Sequence, residues 1–181
     1  THSLEDIKYK IQTKKNSKDI QTLENLAWDL FLQHNLNASK KENGFRPGQI
    51  GIIKNALERK DTLGLLPTGS GKSICYQLVA FLQPTISFVV PPIKALMYDQ
   101  KIELNNAFIT RVETINSDDS PSAKRRKVHD FSQGKFFFIF ISPERFQIQQ
   151  FRESFSALNI EKEIAYAVVD EVHCLSEWGH E

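Results

Sequence analysis

This 181-residue sequence predicts a parallel α/β fold, and two observations carry that expectation. Five short runs, Thr62–Leu66, Ile86–Val90, Arg111–Ile115, Phe136–Ile141 and Ile164–Val169, are rich in apolar and β-forming residues. Strands that are apolar on both faces belong in a sheet covered on both sides. Helical segments at Lys72–Leu82, Ile93–Asn106, Pro121–Phe131 and, more loosely, Arg145–Leu158 alternate with those runs. That alternation is the order of a parallel sheet built by right-handed crossovers. The expected fold is a parallel β-sheet flanked by helices on both faces. Ligands of such sheets bind at the carboxyl ends of the strands.

The elements follow in order. Residues 1–18 are polar and lysine-rich with no clear period. From Asp19, the residues Ile20, Leu23, Leu26, Ala27, Leu30 and Phe31 recur at helical spacing, with Trp28 at one margin. This amphipathic helix reads as packing against the domain body in preference to docking a partner. Residues 1–42 form an N-terminal extension and residues 43–181 the α/β lobe, truncated at its C-terminal end. Gly44-Phe45-Arg46-Pro47-Gly48-Gln49 opens a further helix through Gln49, Ile50, Ile52, Ile53, Ala56 and Leu57. Arg46 and Gln49 lie three apart and can project to one side at that helix start. Taken alone, such a pair is most simply solvated. Lys124-Arg125-Arg126-Lys127, the one dense basic run, reads as a solvated helix face.

Composition narrows the function classes. Hydrophobic residues make up 40% and charged ones 25%, ordinary for a globular chain with a sizeable core. A net charge of +1 leaves any nucleic-acid surface to be local. Cys75 and Cys174 are too few for a disulfide framework and lack zinc-ligand spacing; Cys75 reads as a small buried thiol. No apolar stretch approaches the ~20 residues of a membrane span, and Thr1-His2-Ser3 has no signal-peptide pattern. An intracellular setting is expected, in the cytoplasm or nucleoid of a bacterium or the nucleus of a eukaryote. Both chain ends read as cuts from something longer.

The chemistry concentrates in two places. Leu65 to Ser73 reads LLPTGSGKS, a glycine-containing turn between an apolar run and a helix start. In G-x-x-x-x-G-K-[ST] loops the backbone N–H groups converge on phosphates, and the helix N-terminus adds its partial positive charge. Here Leu66 stands at the first glycine position, so the match is to Thr68, Gly69, Ser70, Gly71, Lys72 and Ser73. Lys72 supplies charge for the terminal phosphates, and the Ser73 hydroxyl suits Mg²⁺. A nucleoside triphosphate is the expected ligand. The second place is Val168-Val169-Asp170-Glu171-Val172-His173, where two acids end an apolar strand. Helix capping could explain such a pair alone. Joined to the phosphate loop, Asp170 suits the metal of a nucleotide and Glu171 suits the attacking water. The two motifs together point to ATP hydrolysis.

In order along the chain stand Phe45–Gln49 (FRPGQ), Pro67–Ser73 (PTGSGKS), Val89–Gln100 (VVPPIKALMYDQ), Ser142–Phe146 (SPERF) and Asp170–His180 (DEVHCLSEWGH). This set resembles the first RecA-like lobe of RecQ-family DNA helicases in superfamily 2, over roughly Asn43 to Glu181. The resemblance implies an ATP-dependent DNA helicase unwinding 3′–5′, with ATP and Mg²⁺ as cofactors. Its DNA would be single-stranded or a duplex with a single-stranded tail, and a second RecA-like lobe would lie outside this chain. It implies that Gln49 with Arg46 reads adenine, and that His173 links the nucleotide site to the loop after it. Trp178 would sense single-stranded DNA in that aromatic-rich loop, with Lys94 on the DNA side. The pattern departs at Lys40-Lys41-Glu42-Asn43, where the family often has an aromatic residue that stacks on adenine. It departs again at Pro91-Pro92, where a small hydroxyl residue is common, and at Val172, usually alanine. These 181 residues by themselves are expected to bind nucleotide weakly and to unwind nothing. Two alternatives stay open: an RNA-directed superfamily 2 ATPase, and a nucleotide-dependent switch without translocation.

Overall fold

The computed structural model describes residues 45–83, 85–107, 109–161 and 163–176. The amphipathic helix expected around Ile20–Phe31 and the residue Trp178 lie outside them. The chain divides into two compact units, one ending at Gln83 and the other starting at Pro84.

In the first unit, α1 (Gln49–Leu57) packs against α2 (Lys72–Phe81). Each helix starts from a glycine in the left-handed region, Gly48 at φ 87° and Gly71 at φ 75°. A side chain at Gly48 would also place its Cβ 2.7 Å from Leu66 Cδ2, so the turn into α1 demands glycine twice over. Cys75, Leu78, Val79, Ala80 and Phe81 of α2 are buried, as is Ile53 of α1. Burial pushes the Cys75 thiol up to about 11.

One expected strand is absent. Thr62–Leu66 takes no regular structure, and Leu63 and Leu65 are 70% and 84% exposed. A strand exists only when its N–H and C=O groups find a ladder partner, and the described residues of this unit contain no other strand. The Thr62 hydroxyl instead donates to the Lys60 carbonyl at 2.8 Å.

The second unit carries the sheet. Its strands are β1 (Ile86–Val90), β2 (Val112–Ile115), β3 (Phe138–Ile141) and β4 (Ile164–Val169), in spatial order β2-β3-β1-β4 and all parallel. Ser87 pairs with Phe138 and Tyr166, and Val112 with Phe138, so the strands share a common register. Phe138 and Phe140 point to one face of β3 and Ile139 and Ile141 to the other, yet all four are fully buried. This two-sided burial explains why the strand sequences lack alternation.

The connecting helices are α3 (Lys94–Asn106), α4 (Pro121–Ser132) and α5 (Gln149–Glu161). Ser120 caps α4 by accepting the Ala123 N–H, and Pro121 occupies the first turn, where its missing donor costs nothing. Ile139, Ile141, Ile86 and Ile115 form a cluster with Phe131 of α4 and Phe151 and Phe155 of α5. Phe88 meets Phe155 edge-on at 5.0 Å between ring centroids. The looser helix expected over Arg145–Leu158 is two pieces, a 3-10 turn at Pro143–Gln147 and then α5. Ile148 breaks them with extended backbone, and the Arg152 guanidinium takes up the exposed Phe146 and Gln147 carbonyls at 2.7 and 2.9 Å. That replacement of backbone partners is what makes the break affordable.

Candidate functional site

The phosphate loop in the first unit is built from its glycines. The Ser70 N–H closes a turn on the Pro67 carbonyl at 3.1 Å. Gly69 (φ 73°) and Gly71 (φ 75°) both take left-handed backbone, which glycine adopts without penalty. After Gly71 the chain enters α2, which has no side-chain cap and no acid in its first turn. Nothing in its own first turn therefore offsets the positive end of the helix dipole. Lys72 and Ser73 occupy that first turn, each half-buried, while Thr68 and Gly69 are exposed. The Ser70 Oγ is buried without a hydrogen-bond partner among the described residues.

Behind the loop stands the pair expected to read adenine. Gln49 is buried, and its Nε2 donates to the Ser70 carbonyl at 2.8 Å and to the Gly71 carbonyl at 3.0 Å. Its Oε1 accepts the Arg46 backbone N–H at 2.8 Å. The Arg46 guanidinium donates to the Gly69 carbonyl. Both side chains thus engage the loop itself. Sequence reasoning placed these two residues together but missed what they hold, since their partners lie more than twenty positions away.

In the second unit the acidic pair ends β4. The Asp170 N–H donates to the Val90 carbonyl at 2.9 Å, extending the β1–β4 ladder by one residue. Glu171 then turns the chain with φ 50°, an uncommon conformation for a residue with a side chain. The Asp170 Oδ1 accepts the Glu171 N–H at 3.0 Å, and the Glu171 carbonyl accepts the Cys174 N–H at 2.9 Å. His173 Nδ1 lies 3.4 Å from Glu171 Oε2, with most of the imidazole in solvent. The pair is not a helix cap. Instead, the turn presents two half-buried carboxylates at the carboxyl end of a strand.

Lys94 sits at the first position of α3, also on the carboxyl side of the sheet. Its Nζ donates to the Ser117 Oγ and to Asp118 Oδ1 at 3.1 Å, with Glu144 Oε1 at 3.8 Å. The hydrogen bond and charge of Lys94 hold the Asp118 carboxyl below its usual range. Asn116, buried beside it, donates to the Tyr98 hydroxyl at 2.8 Å and accepts the Asp118 N–H at 2.8 Å.

The basic run resolves into two roles. Lys127 donates to Asp119 Oδ1 at 2.6 Å and to the Thr114 carbonyl at 2.9 Å, and Lys124 donates to the Ser117 carbonyl at 3.2 Å. Arg125 and Arg126 are exposed. Half of the run is therefore a brace between α4 and the loop after β2, where a solvated face was expected throughout.

Among the described residues no group of three or more His, Cys, Asp or Glu is arranged to hold a metal ion, and no helix is long and apolar enough to cross a membrane. Comparison with known proteins adds family evidence. The family model of DEAD/DEAH box helicases matches residues 46–181. "ATP-dependent DNA helicase Q-like 5" of Arabidopsis thaliana is 32% identical over 98% of this chain and 18% of its own length. "ATP-dependent helicase SGS1" of Saccharomyces cerevisiae is 34% identical over 85% of this chain and 11% of its own length. "Probable ATP-dependent DNA helicase RecS" of Bacillus subtilis is 35% identical over 76% of this chain and 26% of its own length. The chain thus spans about a quarter or less of these relatives.

Proposed function

Because the chain belongs to the DEAD/DEAH box helicase family, we propose that it supplies the nucleotide-binding lobe of a RecQ-type DNA helicase driven by ATP hydrolysis. The observation that carries this reading is the phosphate loop, whose two left-handed glycines feed an uncapped helix start bearing Lys72 and Ser73. The RecQ-type names of the similar proteins support the choice of DNA as the substrate.

The residues present fit a triphosphate. Backbone N–H groups and the Lys72 ammonium are donors for phosphate oxygens, and the orphaned Ser70 hydroxyl lies in the same loop. The Ser73 hydroxyl and the Asp170 carboxylate are the hard oxygen donors that Mg²⁺ prefers. When bound, the ion would neutralise charge on the phosphates. Glu171 accepts a proton from the attacking water and orients it. Its left-handed backbone, anchored by Asp170 Oδ1 and the Cys174 N–H, fixes where that carboxylate starts. A second RecA-like lobe elsewhere in a longer chain would complete the motor, and its arginine would stabilise transition-state charge, worth roughly 10³–10⁵ in rate for arginine fingers. His173 and Trp178 are the residues we assign to coupling between hydrolysis and single-stranded DNA, and Lys94 to the DNA side.

The test is the ATPase rate of the full-length protein with and without single-stranded DNA, for wild type, Glu171→Gln and Trp178→Ala. DNA should raise the wild-type rate several-fold. Glu171→Gln should lower it by at least about 10²-fold, and Trp178→Ala should remove only the stimulation. A rate indifferent to DNA would reduce the protein to a nucleotide switch.

A further inference from the structure

Resting on the nucleotide reading above, we propose that Gln49 and Arg46 position the phosphate loop by its carbonyls and act on any triphosphate without reading the base. The amide orientation of Gln49 is set by its partners: a backbone N–H faces Oε1 and two carbonyls face Nε2. Both Nε2 hydrogens are thereby used within the chain. Arg46 adds a third carbonyl, that of Gly69. Three successive peptide oxygens, Gly69 to Gly71, are thus held by two side chains.

Peptide planarity turns that contact into a function. No cis peptide occurs among the described residues, so each C=O points opposite to the N–H of the next residue. Holding the Ser70 and Gly71 carbonyls toward Gln49 therefore aims the Gly71 and Lys72 N–H groups away from it. Those are amides that a phosphate loop directs at its anion. The close approach also needs Gly71, because a Cβ there would sit 3.2 Å from Gln49 Nε2. A base-reading glutamine would have to surrender these bonds, leaving two loop carbonyls to find new partners.

The two roles separate by ligand. In the full-length protein, binding of ATP, GTP and inorganic tripolyphosphate, each with Mg²⁺, is measured by calorimetry for wild type, Gln49→Met and Arg46→Ala. Gln49→Met keeps the length and removes the hydrogen bonds. Arg46→Ala alters an exposed side chain and keeps the test valid if the buried variant fails to fold. Positioning requires all three ligands to weaken by one common factor, roughly five- to fifty-fold for Gln49→Met and less for Arg46→Ala. The ATP-to-GTP ratio should not move. Amide hydrogen exchange across Ser70–Ile74 should quicken in both variants without ligand. Loss of ATP binding with tripolyphosphate binding intact would overturn the proposal in favour of base reading, and so would unchanged affinity for all three. If wild type binds none of them, the nucleotide reading itself fails. Exchange then decides the latch separately: quickened amides uphold it and unchanged amides overturn it.

Discussion

Gly71 and Glu171 solve the same backbone problem in opposite ways. Both take left-handed backbone at the entrance to a helical turn, Gly71 at φ 75° before α2 and Glu171 at φ 50° before the 3-10 turn Val172–Ser176. At position 71 a side chain would crowd the Gln49 amide, and none is present. At position 171 the side chain is the chemistry, so the chain accepts a conformation that costs a residue with a Cβ roughly 1–2 kcal/mol. The site is therefore unstrained where backbone donors act and strained where a carboxylate acts. Local bonds offset that strain, from Asp170 Oδ1 on one side and the Cys174 N–H on the other.

Substitutions at the two positions should have opposite signs. Gly71→Ala forces a Cβ into the left-handed region and against Gln49, so unfolding stability should fall by about 1–2 kcal/mol. Affinity for tripolyphosphate should fall with it. Denaturant unfolding and calorimetry read the two effects, and an unaffected Gly71→Ala protein would break the comparison. Glu171→Gly removes the same penalty but adds roughly 0.5–1 kcal/mol of chain entropy on unfolding. Its stability should lie between no change and a gain of about 1 kcal/mol, while hydrolysis is lost. A clearly destabilised Glu171→Gly would mean that side-chain contacts, not backbone strain, dominate that turn.

The two cysteines give the smallest and most local test. Cys75 is buried in α2 behind the phosphate loop, and Cys174 is half-buried in the turn after the acids. With its thiol pushed up to about 11, Cys75 is only about 0.1% thiolate at pH 8. Alkylation at pH 8 should label Cys174 well before Cys75. The raised thiol also makes a sign prediction. An unfolded thiol ionises near its ordinary value of about 8.5, so above that pH the unfolded chain binds fewer protons and stability falls as pH rises toward 11. Cys75→Ala should flatten that alkaline decline. Equal labelling rates would show that the helix behind the loop opens as readily as the turn.

Much of this was legible in the residues themselves. Ile86–Val90 and Ile164–Val169 coincide with β1 and β4, because two-sided burial leaves an unbroken apolar run in each strand. Pro121 and its Ser120 cap placed the start of α4, and Gly69 and Gly71 marked the loop, since only glycine takes that backbone freely. These are properties of adjacent residues. Thr62–Leu66 had the composition of a strand, but composition cannot supply the ladder partner that makes one. Lys127 looked like any surface lysine until Asp119 and the Thr114 carbonyl closed on it. Gln49 and Arg46 carried donors whose acceptors lay on a loop more than twenty residues away. The sequence by itself determined the periodicity, the positive-φ glycines and the chemical inventory, which depend on neighbours along the chain. Only the tertiary structure decided which carbonyl, carboxylate or strand each long side chain and each extended run would meet, because those partners are set by packing across space.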